Sequence, residues 1–358
     1  MMRQSAIGSR QSGNCAKSDC PLPIAYCRSF VALLALALAA CAPTAADTPQ
    51  QWRAVEISAT PVELGAETVG RLRSRGGLAL ASNNPVFGGL SGLEIIDPDR
   101  LIAISDNGDW FEGRLVLDDG GKLIGVADVR TAFIRDENGN VFPNKAAGDS
   151  EGLAQLPDGR FAVSFEQTQT IRIYDMNRDG PFGAARRGPV LAGARRLPGN
   201  TGLEALASTE DGRLVVGAEG GDQATTPIWV APLDARRPVR SHIGYPLSGG
   251  FSLTSLDRMP DGGFVALERF YAPVIGARAR ITTFPAASLD AEGGALPNVR
   301  ELALLDPPLT LDNFEGVAAM RMPDGATRIY IVSDDNFSAR QRTLLLAFDV
   351  IEDHQAQQ

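Results

Sequence analysis

The same phrase recurs five times along this chain. Each copy opens with an acidic or hydroxyl residue, runs through an apolar stretch to a turn, usually of the Pro-Asp-Gly type, and returns as a short apolar strand that ends on a charged residue. A repeat of this kind indicates one supersecondary unit stacked along or around an axis, because a single unit cannot bury its apolar face alone. The five copies cover residues 91–106, 151–166, 204–219, 254–269 and 315–334.

The spacing of strands and turns from residue 52 onwards predicts an all-β fold. Short apolar strands with turns every 8–12 residues or so are typical of a sandwich, a barrel or a propeller, and helical periodicity is nearly absent. Each repeat supplies two strands, and the stretches between repeats, such as 171–174 and 228–230, leave room for two more. Four strands in a unit of roughly 50–65 residues form a propeller blade. We therefore predict a five-bladed β-propeller over residues 52–351.

The two ends of the chain are expected to close the ring. The last repeat is followed by a single strand over 343–351, so a strand from the N-terminal stretch 53–80 has to complete the final blade. A sixth, degenerate blade around 72–83 is one alternative, and a sandwich whose turns merely look alike is another. Residues 352–358 are expected to form a disordered tail.

The N-terminus has the features of an export signal. Residues 30–40 form a short apolar core behind a basic residue, too short to span a bilayer, and the Leu-Ala-Ala-Cys sequence that ends at Cys41 resembles a bacterial lipobox. We expect residues 1–40 to be removed as a lipoprotein signal peptide, Cys41 to be lipidated, and residues 41–51 to form a tether. Because Ala42 is not Asp, the expected location is the outer membrane, facing the periplasm. An uncleaved anchor or an ordinary signal peptide is the alternative, and a translation start downstream of Met1 stays open.

Composition argues against several other chemistries. All four cysteines lie at or before Cys41, so no disulfide, thiolate metal site or cysteine nucleophile is expected in the folded domain. The chain has 34 basic and 43 acidic residues and a net charge of −9, which makes nucleic acid an unfavourable partner. A Ser-His-Asp triad would have to use His242 and is a weak alternative, and no GxSxG elbow, P-loop or dinucleotide fingerprint is present.

Equivalent positions of the repeats are expected to meet at the central channel. In a propeller the first strand of each blade lines the channel, so aligned residues form a ring. Two such rings are rich in carboxylates. The opening positions are Ser91, Glu151, Glu204, Thr254 and Glu315, with Asp149 and Asp312 just upstream, and the strand ends are Asp106, Glu166, Glu219, Glu268 with Arg269, and Asp334 with Asp335.

Carboxylates that gather in a channel predict a bound cation. They repel one another, so they must be protonated, paired with arginine or neutralised by a metal ion. Oxygen ligands without cysteine and almost without histidine favour a hard cation, most naturally Ca²⁺. The alternative is that these acids cap strands or bind backbone amides between blades. The predicted ligands are Asp106, Asp149, Glu151, Glu204, Asp312, Glu315 and Asp334.

Several motifs resemble the phytase-like propeller family, labelled "esterase-like activity of phytase". They are residues 88–93, 105–108, 149–154, 268–269, 312–318, 333–337 and 341–348. The resemblance covers roughly residues 80–350 and implies a β-propeller, usually exported, that hydrolyses phosphoesters or esters. The dense aspartate signature of the metal ligands in true β-propeller phytases is not evident in this chain.

Two functions are compatible with these patterns. The favoured one is a Ca²⁺-dependent hydrolase of small esters or phosphoesters, with Glu151 and Glu204 as ligands or bases and Arg269 stabilising charge in the transition state. The alternative is a non-catalytic module that binds an envelope protein, peptide or glycan, because the chain has no complete nucleophile–base set and fold does not fix function. In both cases contact with the membrane is expected through the lipid on Cys41.

Overall fold

The computed structural model describes residues 51–197, 201–220, 223–291 and 293–352. The predictions for the signal peptide, for Cys41, for tether residues 42–50 and for tail residues 353–358 lie outside the described residues. Within the described ranges, no helix has both the length and the apolar character needed to cross a membrane.

Five antiparallel sheets follow one another along the chain, and each sheet is one propeller blade. In the first four blades consecutive strands pair in order from the innermost strand outwards. The first blade contains β5 (Leu90–Asp97), β6 (Arg100–Ser105), β7 (Asp109–Leu117) and β8 (Leu123–Phe133), with β1 (Arg53–Ala54) on its outer edge. The second contains β9 (Ser150–Gln155), β10 (Phe161–Phe165), β11 (Thr170–Tyr174) and β12 (Arg186–Arg187). The third contains β13 (Leu203–Ser208), β14 (Leu214–Ala218), β15 (Thr225–Ala231) and β16 (Ile243–Pro246), and the fourth contains β17 (Ser252–Arg258), β18 (Phe264–Ala272), β19 (Gly276–Phe284) and β20 (Arg300–Leu305).

The fifth blade joins the two ends of the chain and closes the ring. It contains β21 (Asn313–Arg321), β22 (Thr327–Asp334) and β23 (Thr343–Val350), and β23 pairs with β4 (Leu72–Ala81). The short strands β2 (Ser58–Pro61) and β3 (Thr68–Val69) pair with β4. The predicted closure by an N-terminal strand is therefore confirmed. The sixth-blade alternative is wrong because β4 belongs to the fifth blade, and the sandwich is wrong because the strands form five separate sheets.

Helices in the described residues are short. They are α1 (Lys145–Gly148), α2 (Met176–Asp179) and 3₁₀ turns at Gly180–Phe182, Ala194–Arg196 and Ala286–Asp290. The first of these, α1, lies in the connection between the first and second blades. It begins after Asn144, whose side chain accepts a hydrogen bond from the backbone N–H of Ala147 at 3.0 Å, as an N-cap residue does.

The apolar core is divided into five clusters, one at each junction between neighbouring blades. Successive side chains of a strand point to opposite faces, so each blade sends one set to each neighbour. In β22, for example, Ile329 and Ile331 pack towards the fourth blade, whereas Tyr330 and Val332 pack towards the first. Because both faces of a blade are buried, its inner strands read as continuous apolar runs rather than as an alternating pattern.

A small residue after the opening position lets neighbouring inner strands approach closely. A Cβ atom on Gly152 would lie 2.8 Å from the Cβ of Leu206 in the third blade and 2.6 Å from Oγ of Ser164. Gly92 and Gly316 hold the equivalent position in the first and fifth blades and are similarly crowded. The crowding explains why three of the repeats place glycine directly after an acidic or hydroxyl residue.

We predict that Gly152→Ala destabilises the protein by about 1–3 kcal/mol, because the added methyl group overpacks the junction between the second and third blades. The measurement is chemical denaturation, read as a lower midpoint at unchanged slope. Gly125→Ala on β8 is the matched control, since its Cβ would lie 3.5 Å from Val116, an ordinary contact. Equal midpoints for the two variants would contradict the close-approach explanation.

Candidate functional site

Each innermost strand carries a β-bulge at its opening position. In all five blades the pairing register between the first and second strands shifts there, so the opening residue leaves the regular ladder. A bulge bends its strand and re-aims a side chain, and bulges are frequent beside active sites. The residues at these shifts are Ser91, Glu151, Glu204, Thr254 and Glu315.

The two hydroxyl residues among these positions bind backbone carbonyls. Ser91 donates from Oγ to the carbonyl oxygen of Ser150 in the second blade at 2.6 Å. Thr254 donates from Oγ1 to the carbonyl oxygen of Leu267 at 3.4 Å. Their hydroxyl groups therefore connect strands. Among the opening residues, the three glutamates are the candidates for binding or catalysis in the channel.

Carboxylates from the first and second blades surround Lys145. Its Nζ donates to Oδ2 of Asp106 at 2.6 Å and to Oδ1 of Asp149 at 2.9 Å. Burial opposes the charge on this ammonium group, but the two hydrogen bonds outweigh that effect and raise its pKa above the ordinary value. Oxygens of Asp149, Glu151 and Glu166 all lie within 4.8 Å of one another. We name these five residues the Lys145 cluster.

A second group forms around Arg269 of the fourth blade. Its Nη2 donates to Oε1 of Glu219 at 2.9 Å, and its Nη1 donates to Oδ1 of Asn313 at 2.7 Å and to Oε1 of Glu315. Nδ2 of Asn313 also donates to Oε1 of Glu315, at 2.8 Å. With Glu204, whose charge the guanidinium stabilises, these residues form the Arg269 cluster.

The two clusters interact and form a single mouth of the channel. Burial raises the pKa of Glu151 well above its ordinary value, and the negative charges of Asp149 and Glu315 raise it further. Burial also raises the pKa of Glu204, with Glu219 and Glu315 adding to the effect. Glutamates from the second, third and fifth blades thus meet around one axis, as the repeat alignment predicted.

Acids outnumber cations in this mouth. Burial raises the pKa of Glu315 to about 7 although Arg269 opposes the shift, and burial raises the pKa of Asp334 to about 7. Excess negative charge in a desolvated site must be offset by protons or by a bound cation. Among the described residues, the carboxylates here are Asp106, Asp149, Glu151, Glu166, Glu204, Glu219, Glu315, Asp334 and Asp335, and the cations are Lys145 and Arg269.

Two acids that the repeats assigned to the mouth have other partners. Glu268 accepts a hydrogen bond from the hydroxyl of Tyr245 at 2.7 Å and pairs with Arg280, because it lies on the face of β18 opposite to Arg269. Its expected place in the second ring is therefore wrong. Asp312 accepts hydrogen bonds from the backbone N–H groups of Asn313 and Arg342, both at 3.0 Å, and so holds the loop that leads into β23.

Lys145 was missed by sequence reasoning, because it lies in the connection between two blades and outside the repeats. A weak local signal existed. Asn144 is a good N-cap residue, and Lys145 stands four residues before Asp149, the spacing at which side chains on one turn of helix meet.

The opposite mouth of the channel holds another pair of buried acids. Three residues beyond the opening position, Glu94 and Asp257 are 6% and 7% exposed. Glu94 accepts from the backbone N–H of Gln155, and Asp257 from that of Ala319, both at 2.7 Å, so each ties its blade to the next. Burial raises the pKa of Asp257 to about 7 and raises the pKa of Glu94 well above its ordinary value. The negative charge of Asp257 raises the pKa of Glu94 further, whereas the positive charge of Arg258 lowers it.

We predict that Glu94→Gln stabilises the fold at high pH. An acid whose pKa is raised by folding binds more protons in the folded state, so its contribution is present below about pH 4 and is lost as the pH rises through the folded pKa. The variant lacks this acid and should gain on the order of 1 kcal/mol over the wild type at pH 8, with little difference near pH 4. Denaturation at both pH values, with the exposed Asp128→Asn as control, measures this; a variant less stable than the wild type at pH 8 would refute it.

Fold and mouth together define a five-bladed β-propeller with an acidic channel mouth. Residues 85–337, well over half of the chain, match the family described as "Phytase-like: Esterase-like activity of phytase". The chain belongs to this family, as the motifs in its repeats predicted. No curated protein matches the chain.

Several solved structures resemble the chain at low sequence identity. A gluconolactonase from Xanthomonas campestris is 12% identical, with a TM-score of 0.39, and the match covers 83% of this chain and 97% of that one. An endo-arabinase from Bacteroides thetaiotaomicron is 9% identical, with a TM-score of 0.44 and coverage of 75% and 95%. The PQQ-bound aldose sugar dehydrogenase from Streptomyces coelicolor is 12% identical, with a TM-score of 0.40 and coverage of 82% and 99%. Values this low say nothing about the chemistry of the present chain.

Proposed function

We propose that this protein is an exported, Ca²⁺-dependent hydrolase of esters or phosphoesters that acts in the acidic mouth. The observation that carries the proposal is the convergence of Glu151, Glu204 and Glu315 with Arg269 at one end of the channel. Membership of a family described by an esterase-like activity supports the reaction class.

The donor atoms of the Lys145 cluster fit a hard cation. Oxygens of Asp149, Glu151 and Glu166 lie close enough together to share one ion, and Oδ1 of Asp106 is buried without a hydrogen-bond partner among the described residues. Ca²⁺ takes about 6–8 oxygen ligands, so water or substrate would complete the set. When bound, Ca²⁺ would offset the carboxylate charge and polarise the ester or phosphoester. Lys145 offsets part of the same charge, which limits the site to a small number of ions.

Arg269 is positioned to stabilise an oxyanion. Its bonds to Asn313, Glu219 and Glu315 hold the guanidinium group in one orientation, while its side chain stays 26% exposed. A fixed N–H donor in a site with little water stabilises negative charge more strongly than the same donor does in bulk solvent. We therefore assign Arg269 the role of binding the substrate oxygen on which negative charge develops.

Glu204 and Glu151 are the candidate bases. Both stand at bulges in the mouth, and the raised pKa of each makes its carboxylate a better proton acceptor than a solvated glutamate. Glu204 lies in the Arg269 cluster, where it can accept a proton from a water molecule that attacks the bound ester. Glu151 also belongs to the carboxylate group that would hold the ion, so we assign it a shared role.

Export and lipid anchoring are part of the same proposal. They rest on the apolar core of residues 30–40 and on the lipobox-like sequence that ends at Cys41. A protein acylated at Cys41 would face the periplasm and meet its small-molecule substrate there. One acyl chain binds a membrane weakly, whereas two or more give stable attachment.

Ca²⁺ should raise the melting temperature of the protein in a concentration-dependent way, because a ligand that binds only the folded state stabilises it. Glu151→Gln should weaken the apparent Ca²⁺ affinity at least about tenfold. Glu210→Gln, an exposed turn residue of the third blade, is the matched control and should behave as the wild type does. An unchanged melting temperature at millimolar Ca²⁺ would remove the cation from the proposal.

Turnover of p-nitrophenyl acetate or p-nitrophenyl phosphate should depend on Ca²⁺ and stop with EDTA. Arg269→Lys should lower kcat/KM by about 100-fold, because an ammonium group cannot reproduce the guanidinium bonds or the oxyanion contact. Arg213→Lys, on an exposed turn, serves as control. Background rates for both substrates would end the hydrolase proposal, and Ca²⁺-dependent melting without turnover would favour the binding-module alternative.

A further inference from the structure

The hairpin formed by β18 and β19 extends beyond the acidic mouth. The second strand of the fourth blade, β18, is nine residues long, whereas the second strands β6, β10, β14 and β22 of the other blades have six, five, five and eight. Arg269 marks the level of the mouth on β18, and three more residues of this strand follow it. The fourth blade therefore carries a projection over the edge of the site.

The tip of this projection is apolar and exposed. Between Arg269 and Arg278 the chain has no charged residue, and Tyr271, Val274 and Ile275 are 69%, 98% and 46% exposed. Large apolar side chains that are exposed next to one another mark contact surfaces, whereas single exposed ones are ordinary.

Strand geometry places Tyr271 on the face of β18 that is turned towards the fifth blade. Side chains alternate along a strand, so Tyr271 lies on the same face of β18 as Arg269, about 7 Å further along. The opposite face is braced by Phe270, whose ring lies 5.6 Å from that of Phe251 and 5.8 Å from the guanidinium carbon of Arg278. Because Phe270 packs on the opposite face, Tyr271 stays on the face that it shares with Arg269.

A second apolar side chain lies on the rim beside the Lys145 cluster. Phe337 is 45% exposed, and a Cβ atom on Gly89 would lie 2.6 Å from its ring, so the ring rests on glycine backbone. Gly89 in turn accepts a hydrogen bond from the backbone N–H of Asp106 at 2.9 Å. Phe337 adopts a φ of +49°, a conformation that bulky residues rarely occupy, and Oδ1 of Asp335 holds it by accepting from its N–H at 3.1 Å. Strain of this kind is concentrated at functional sites.

We propose that the rim formed by Tyr271 and Phe337 binds an apolar group of the substrate, so that the substrate class is an ester or phosphoester with an aryl or alkyl substituent. The inference rests on the proposed function, since it places the scissile group at Arg269 and the Lys145 cluster. Tyr271 of the fourth blade lies near Arg269, and Phe337 of the fifth blade lies near Asp106. A substrate held by its polar end in the mouth would therefore meet them with its other end.

The charge of the mouth favours the same class. Acids outnumber Lys145 and Arg269, so a polyanion with several phosphates would be repelled even after one cation has bound. A substrate with a single ester or phosphoester and an uncharged remainder avoids that repulsion. Aromatic side chains offer it a large apolar contact at low entropic cost, because their side chains have few rotatable bonds.

Binding of phenylphosphonate and methylphosphonate in the presence of Ca²⁺ tests the proposal without any need for turnover, because neither compound is an ester. By calorimetry, the wild type should bind the phenyl compound at least about tenfold more tightly. Tyr271→Ser and Phe337→Asn should each reduce this ratio by about threefold or more and leave methylphosphonate binding unchanged; Asn tolerates the left-handed backbone at position 337. Val190→Ser, an exposed apolar residue after the outermost strand of the second blade, is the matched control.

Kinetics separate this proposal from the function on which it rests. Suppose that no turnover is seen, and that the wild type prefers the phenyl compound but Tyr271→Ser does not. This result would refute the hydrolase proposal and support binding of an apolar group at the rim. Turnover with equal affinities for the two phosphonates, or no binding of phenylphosphonate at all, would overturn the rim. Binding of Cys41→Ser protein to phospholipid vesicles that is lost in Val274→Ser, with no phenyl preference, would assign the tip to a membrane surface instead and overturn the proposal as well.

Discussion

Ring closure is the constraint on which every other feature depends. Each blade has two apolar faces, and an open junction would expose a whole face of buried side chains to water. Pairing of β4 with β23 removes that cost, because the N-terminal strand completes the last blade and brings it against the first. The acidic mouth is a by-product of the same closure, since Glu315 of the fifth blade meets Glu151 of the second only when the ring is shut.

The acidic mouth lowers the stability of the fold. Glutamates at bulges are held in a poorly solvated space beside like charges, which is unfavourable unless protons, arginine or a cation intervene. The apolar junctions around them provide the rigidity that keeps these groups in place. The two channel ends use buried acids differently: Glu94 and Asp257 accept backbone hydrogen bonds from neighbouring blades, whereas Glu151 and Glu204 stand out of the strand ladder.

The repeat was enough to predict the propeller and to align its inner strands, because turn residues and apolar runs are local signals. Blade number was ambiguous, since nothing within 72–83 tells that this strand pairs with one near the opposite end of the chain. Glu268 and Arg269 are neighbours in sequence, and only the register of β18 decides that the arginine faces the channel. Lys145 could not be aligned at all, because it lies between repeats where no other copy has an equivalent.

Pairing of the earliest long strand with the latest one has a consequence for how the molecule forms. Leu72 pairs with Val350, so nearly the whole domain must be synthesised before this contact can exist. Until then β4 has an unsatisfied edge and the fifth blade lacks its fourth strand. Contacts between residues so far apart form slowly, because the ends of a long loop must first find each other. The ring therefore stays open until its last strand has been made.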